Sequence, residues 1–166
     1  MVKEHIGVKG EMESVVDNVM RATFDDMLGW PLQSAAGRMY APLDMPVSSH
    51  VLLREGNVAK VDVVLQFDQR LLALAGAELY PPDMLDSSEM FNDMASEIAN
   101  IIAGRIKAHL NASGGALQMA LAETPAVSIN AAAPNGVDVS FQYDNGGTPK
   151  PLGVIVSVHL RGTAPD

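Results

Sequence analysis

Four residues in the stretch NDMASEIANIIAG, residues 92–104, bring the most useful chemistry in the chain: Asp93, Glu97, Asn100 and Gly104. Steps of four, three and four residues place them on one stripe of a helix. Asn100 offers a neutral amide, which both accepts and donates hydrogen bonds and so suits the orientation of a water molecule. Glu97 offers a carboxylate one turn away. Gly104 offers no side chain, which lets another backbone come close. Covalent chemistry finds little support: there is no Cys, no Ser-centred nucleophile elbow and no phosphate-binding Gly loop.

Spacing alone reads as a solvated helix flank with a tolerated Gly, because exposed flanks are normally polar. The chain supplies a control. Glu89 and Asn92 also spell Glu-x-x-Asn, but there Leu85 stands where an acid would complete the string. Glu89 also has a structural role three residues after Asp86, as the second member of a capping box. The informative pattern is therefore the longer one, Asp93-x3-Glu97-x2-Asn100-x3-Gly104.

The elements that must position this stripe follow from periodicity. Residues 11–28 carry apolar residues at helical spacing, stopped by Gly29 and Pro31. Residues 31–47 hold three prolines and read as loop or broken edge strand. Residues 48–67 read as a hairpin: Val61, Val63, Leu65 and Phe67 alternate with Lys60, Asp62, Val64 and Gln66 about an EGN turn at 55–57. A short helix over 68–80 is closed by Pro81 and Pro82. The stripe-bearing helix spans 86–111, with Asp86 as N-cap and Gly114-Gly115 beyond its end. Phe91, Met94, Ala95, Ile98, Ile101, Ile102 and Ile106 form its apolar side. Strands follow at 137–143 and 154–160, with a shorter one at AVSIN and a loop over YDNGGTPKP. Strands joined by short turns pair antiparallel, so the class is α+β: an antiparallel sheet with two long helices on one face. The 166 residues form a single domain with a core over about 11–162.

Composition narrows the function. A net charge of −9 argues against nucleic acid, whose phosphates are neutralised by Lys and Arg. Apolar runs are only a few residues long, too short to span a membrane, and MVKEHIGVKGE does not read as a secretory signal. The lack of Cys fits a reducing cytoplasm. His5, His50, His109 and His159 lie far apart, without neighbouring ligands at metal spacing. Met12, Met20, Met27, Met90 and Met94, five of the ten Met residues, read as core filler, and Trp30 as packed on the core.

The long string resembles the signature of the CheC/CheX family of chemotaxis phosphatases, whose helices carry an acid or Ser, then Glu, then Asn at this spacing. The order of helix, hairpin, short helix, motif helix and closing strands also matches that family over about residues 11–162, which implies a CheC-like fold. CheC-type members carry the motif twice, first on the opening helix. Here that helix reads EMESVVDNVM, without Glu-x-x-Asn. A single copy makes the chain more similar to the CheX branch, which implies a homodimer.

The resemblance implies a substrate: the aspartyl phosphate of a CheY-like response regulator. Phosphoryl transfer passes through a loose transition state, so positioning the attacking water is the main task. Asn100 would orient that water, and Glu97 would pair with the regulator's active-site Lys. Gly104 would admit the partner's backbone, and Asp93 would touch the partner or balance charge. No cofactor is implied on this chain; Mg2+ would sit on the regulator. Two other readings stay open. One is a non-catalytic module that binds a response regulator or a flagellar-motor component; the other is a structural domain with a wet helix face.

Overall fold

The computed structural model describes residues 2–34, 46–84, 88–120, 136–144 and 152–161, and the side chains of these except 2–9, 84 and 88. Its elements run α1 (Val2–Leu28), β1 (Gln33–Ser34), β2 (Val47–Glu55), β3 (Val58–Phe67), α2 (Gln69–Leu79), a 3-10 turn (Pro82–Met84), α3 (Ser88–Ala112), β4 (Gln118–Met119), β5 (Gly136–Tyr143) and β6 (Leu152–Leu160). The class is the expected α+β. The strands form one sheet in the order β1-β5-β6-β3-β2-β4, every neighbouring pair antiparallel.

Alternation on the strands decides which face the helices cover. Val51 and Leu53 on β2, Val61, Val63, Leu65 and Phe67 on β3, and Val154, Val156 and Val158 on β6 share one buried cluster with side chains of α1, α2 and α3. Phe24, Phe67, Phe141, Met20 and Leu72 are fully buried within it. Each such side chain stabilises the fold by roughly 1.5–3 kcal/mol. The two long helices cover this face as the period-two pattern requires, and α2 joins them through Leu71, Leu72 and Ala75.

The first helix starts earlier than position 11. Nothing between Val2 and Gly10 breaks a helix outright: there is no Pro, and an internal Gly costs only about 1 kcal/mol against Ala. It ends as expected. Gly29 takes φ +68° and its N–H donates to the Asp25 carbonyl at 2.9 Å, a left-handed cap that suits Gly. Trp30 then turns into the core and stacks on Tyr143, with ring centroids 4.4 Å apart.

The hairpin turns at Gly56 and Asn57, with a register shift between Leu53 and Arg54. The region at 31–47 supplies the short edge strand β1, and Arg21 fastens it to α1 by donating to the Leu32 carbonyl and the Ser34 hydroxyl. β4, the opposite edge, is too short to show a period and was not expected. AVSIN, most of YDNGGTPKP and the Asp86 cap lie outside the described residues.

The other sheet face departs from simple alternation. Asp62 and His50 point away from the helices, yet they are only 4% and 5% exposed. Asp62 accepts from Arg161 through both oxygens, at 2.7 and 2.9 Å, and stands 2.7 Å from His50 Nε2. Burial pushes the Asp62 carboxyl up, but the hydrogen bonds and charges of Arg161 and His50 outweigh it and hold the group below its ordinary range. Among the described residues no helix is long and apolar enough to cross a membrane.

Candidate functional site

The apolar side of α3 fixes where the stripe lies. Met94, Ala95, Ile98, Ala99, Ile102, Ala103 and Ile106 are buried. Phe91 and Ile101, read as part of that side, are half-buried, because Ala99 and Ala103 turn inward and let the helix sit close to the sheet. Met90 is also buried, where α2 brings Gly76 against it.

This rotation leaves Asp93 and Glu97 exposed and Asn100 and Gly104 half-buried. The stripe is thus brought together on one flank, wet at its first two positions and set deeper at its last two. The Asn100 carbonyl oxygen is buried and has no hydrogen-bond partner among the described residues. Such an orphan acceptor destabilises a fold by roughly 1–3 kcal/mol, and native structures carry few of them.

Four contacts hold α3 rigid beneath the stripe. Arg105 donates to the Thr23 hydroxyl at 3.1 Å and to Asp26 at 3.0 Å, tying α3 to α1. Ser96 meets Ser49 of β2 at 3.5 Å. At the C-terminal end, Asn111 donates to the Leu117 carbonyl at 3.0 Å and accepts from its N–H at 2.8 Å. That turn sends the chain into β4, where Met119 pairs opposite Leu53. The Met119 sulfur consequently lies 3.5 Å from where a Cβ on Gly104 would stand.

Glu97 has a partner that spacing could not reveal. The Tyr80 hydroxyl donates to Glu97 Oε2 at 3.2 Å. Tyr80 caps α2, its N–H donating to the Gly76 carbonyl at 2.8 Å, and its ring packs against the core. Burial raises its phenol above the ordinary value, helped by the negative charge of Glu97, by the hydrogen bond to Glu97 and by the charge of Asp93. The only signal in the sequence is an aromatic residue ahead of two prolines.

Among the described residues no three His, Asp or Glu side chains are grouped to hold a metal ion. Exposed Glu97 can engage a cation directly, whereas the Asn100 oxygen can accept from water only after the side chain turns outward. Neither side chain offers a strong nucleophile.

No protein-family model matches the chain. No curated protein matches it either. Solved structures do. The chain is similar to the CheX–CheY–BeF3–Mg2+ complex from Borrelia burgdorferi, with 16% identity, 90% of this chain and 97% of that one covered, and a TM-score of 0.61. It is similar to the chemotaxis protein CheX from Desulfovibrio desulfuricans, with 16% identity, coverage of 91% and 99%, and a TM-score of 0.63. It is also similar to the FliM middle domain from H. pylori, with 12% identity, coverage of 95% and 92%, and a TM-score of 0.58. These likenesses establish a CheC/CheX-like fold.

Proposed function

We propose, for a chain that carries the CheC/CheX-like fold, that it removes the phosphoryl group from the aspartyl phosphate of a CheY-like response regulator. The observation that carries the reading is the disposition of Glu97 and Asn100. They lie one turn apart on a rigid helix, the first exposed, the second with an amide oxygen that finds no partner among the described residues. One similar solved structure is a complex of CheX with CheY, BeF3 and Mg2+, which supports a regulator as partner; Mg2+ on the regulator is part of the proposal.

Asn100 orients the water for in-line attack on phosphorus. Once the side chain turns its buried oxygen outward on docking, the amide accepts a hydrogen bond from the water, whose lone pair then faces phosphorus; the P–O bond to the aspartyl carboxylate breaks as the new one forms, and the water's proton leaves with the released phosphate. A carboxylate in its place would add repulsion against the phosphoryl oxygens. Glu97 pairs with the regulator's active-site Lys and fixes the register of the two proteins. Asp93, a turn earlier and exposed, adds negative charge beside that pair. Gly104, half-buried with only the Met119 sulfur beside it among the described residues, leaves room for the partner's backbone on its open side. The protein acts in the cytoplasm as a homodimer.

The test is phosphate release from a CheY-type regulator phosphorylated with acetyl phosphate and Mg2+. Wild type should accelerate loss of the phosphoryl group, and Asn100→Ala should lower the rate at saturating regulator by about a hundredfold while leaving affinity within a few fold. An Asn100→Ala protein that hydrolyses at the wild-type rate removes the assigned role.

The similarity to the FliM middle domain favours a second reading, a docking module without catalysis on the same fold. Tight binding of the regulator with no acceleration of phosphate loss would select it.

A further inference from the structure

We infer that Tyr80 is a positioning residue for Glu97, holding the carboxylate on the stripe in the orientation that receives the regulator's lysine. The inference rests on the proposed function and adds a residue from a different element to that site.

The geometry is specific. Glu97 sits on an exposed flank of α3, where a free Glu side chain samples several rotamers and loses up to about 2 kcal/mol of entropy on being fixed. Tyr80 reaches it from the end of α2, 17 residues earlier. The Tyr80 backbone is set by its bond to Gly76 and by the prolines that follow, Pro81 and Pro82. Its ring is anchored against the core. A rigid phenol with two side-chain torsions therefore meets a mobile carboxylate.

Only one carboxylate oxygen is engaged. Tyr80 donates to Oε2, and an ionised carboxylate has lone pairs left on both oxygens for an incoming ammonium. At 3.2 Å the bond is longer than the roughly 2.5–2.7 Å of a strong hydroxyl–carboxylate bond, so it steers Glu97 without competing strongly with a cation. The raised phenol keeps its proton at neutral pH, so the hydroxyl remains a donor across the physiological range. Asp93 lies close enough for its charge to reinforce this. Tyr80 bonds to Glu97, the group assigned to association, so its effect falls on association and not on the chemical step.

Tyr80→Phe keeps the ring and deletes only the donor. With a CheY-type regulator phosphorylated by acetyl phosphate and Mg2+ at low salt, KM should rise about two- to threefold, less than in Glu97→Ala, with kcat unchanged. In a Glu97→Ala background the same substitution should change nothing, because the group it positions is gone. A second readout needs no activity. The Tyr80 ring, 13C-labelled and assigned by loss of its signal in Tyr80→Phe, should titrate at lower pH in Glu97→Gln than in wild type. A fall in kcat, an equal effect in the Glu97→Ala background, or an unmoved Tyr80 titration overturns the inference while phosphatase activity stands. A wild-type chain that neither binds nor dephosphorylates the regulator overturns the proposed function, and this role with it.

Discussion

Met119 Sδ and Gly104 face each other across the gap between β4 and α3, with the sulfur 3.5 Å from the position a Cβ would take. That is ordinary van der Waals contact, so a methyl group fits without displacing β4. Gly104→Ala should therefore stabilise α3 by roughly 0.5–1 kcal/mol, the difference in helix propensity. The proposed function adds the opposite expectation for activity. A methyl where the partner's backbone passes should raise KM for the phosphorylated regulator several fold. Thermal denaturation and phosphate-release kinetics on the same variant separate the two. A variant that gains stability and keeps wild-type KM would show that Gly104 serves only the contact with Met119.

Glu97 is exposed and its assigned partner is a lysine on another protein, so its contribution is electrostatic and open to ions. Glu97→Ala should weaken association with the regulator by about fivefold at low salt. The loss should shrink as salt rises, and folding stability should stay within about 0.5 kcal/mol. Titration of the regulator at two ionic strengths checks this; the same loss at both would argue for a steric role in place of a charge pair.

The stripe was legible in the sequence because helical periodicity is strong over α3 and locates its polar flank without any tertiary knowledge. The hairpin, α2 and strands β5 and β6 were legible for the same reason, each long enough to show a period. Legibility fails where a residue's role is set by something distant. Tyr80 reads as the end of a short helix and acquires its partner only when α2 packs on α3. Asp62 reads as one of the outward polar residues of an alternating strand. It is buried because Arg161, 99 residues later, and His50 converge on it. β4 is two residues long and is positioned by the Asn111–Leu117 bonds, a local feature with no periodic signature.

Gly76 controls the spacing between α2 and α3, and through it the reach of Tyr80. A Cβ there would stand 3.1 Å from Met94 Cε and 3.2 Å from Met90 Cε, closer than most real contacts. Both obstacles are ends of flexible side chains, so Gly76→Ala should be nearly neutral, with tighter packing offset by helix propensity. Gly76→Val has no such slack: its branched methyls should push α2 outward and lower stability by about 1–3 kcal/mol. Because Tyr80 hangs from the Gly76 carbonyl, the Val variant should also raise KM at temperatures where it remains folded. Chemical denaturation of both variants, followed by kinetics, tests the order; a Val variant as stable as Ala would show that the helices do not meet tightly at Gly76.

Asp62 gives the fold an acid dependence whose sign follows from its environment. Its carboxyl titrates below the ordinary 3.8 in the folded chain, because the hydrogen bonds and charges of Arg161 and His50 overcome the opposing effect of burial. The stabilisation is therefore complete at pH values well above 3.8 and is lost as pH falls through the lower folded value. Asp62→Asn keeps the shape and removes the charge. Arg161, with 46% of its side chain exposed, can turn toward water, whereas the buried His50 cannot. The cost at neutral pH should therefore be about 1–3 kcal/mol, in the range of a hydrogen bond to a charged group. The gap between wild type and variant should hold steady down to about pH 5 and narrow below that, as the pH passes the ordinary 3.8 toward the lower folded value, since protonation removes from wild type what the substitution removed already. Unfolding free energies at several pH values measure that gap directly, and a gap that stays constant would mean that the Asp62 charge does not hold β2, β3 and the chain after β6 together.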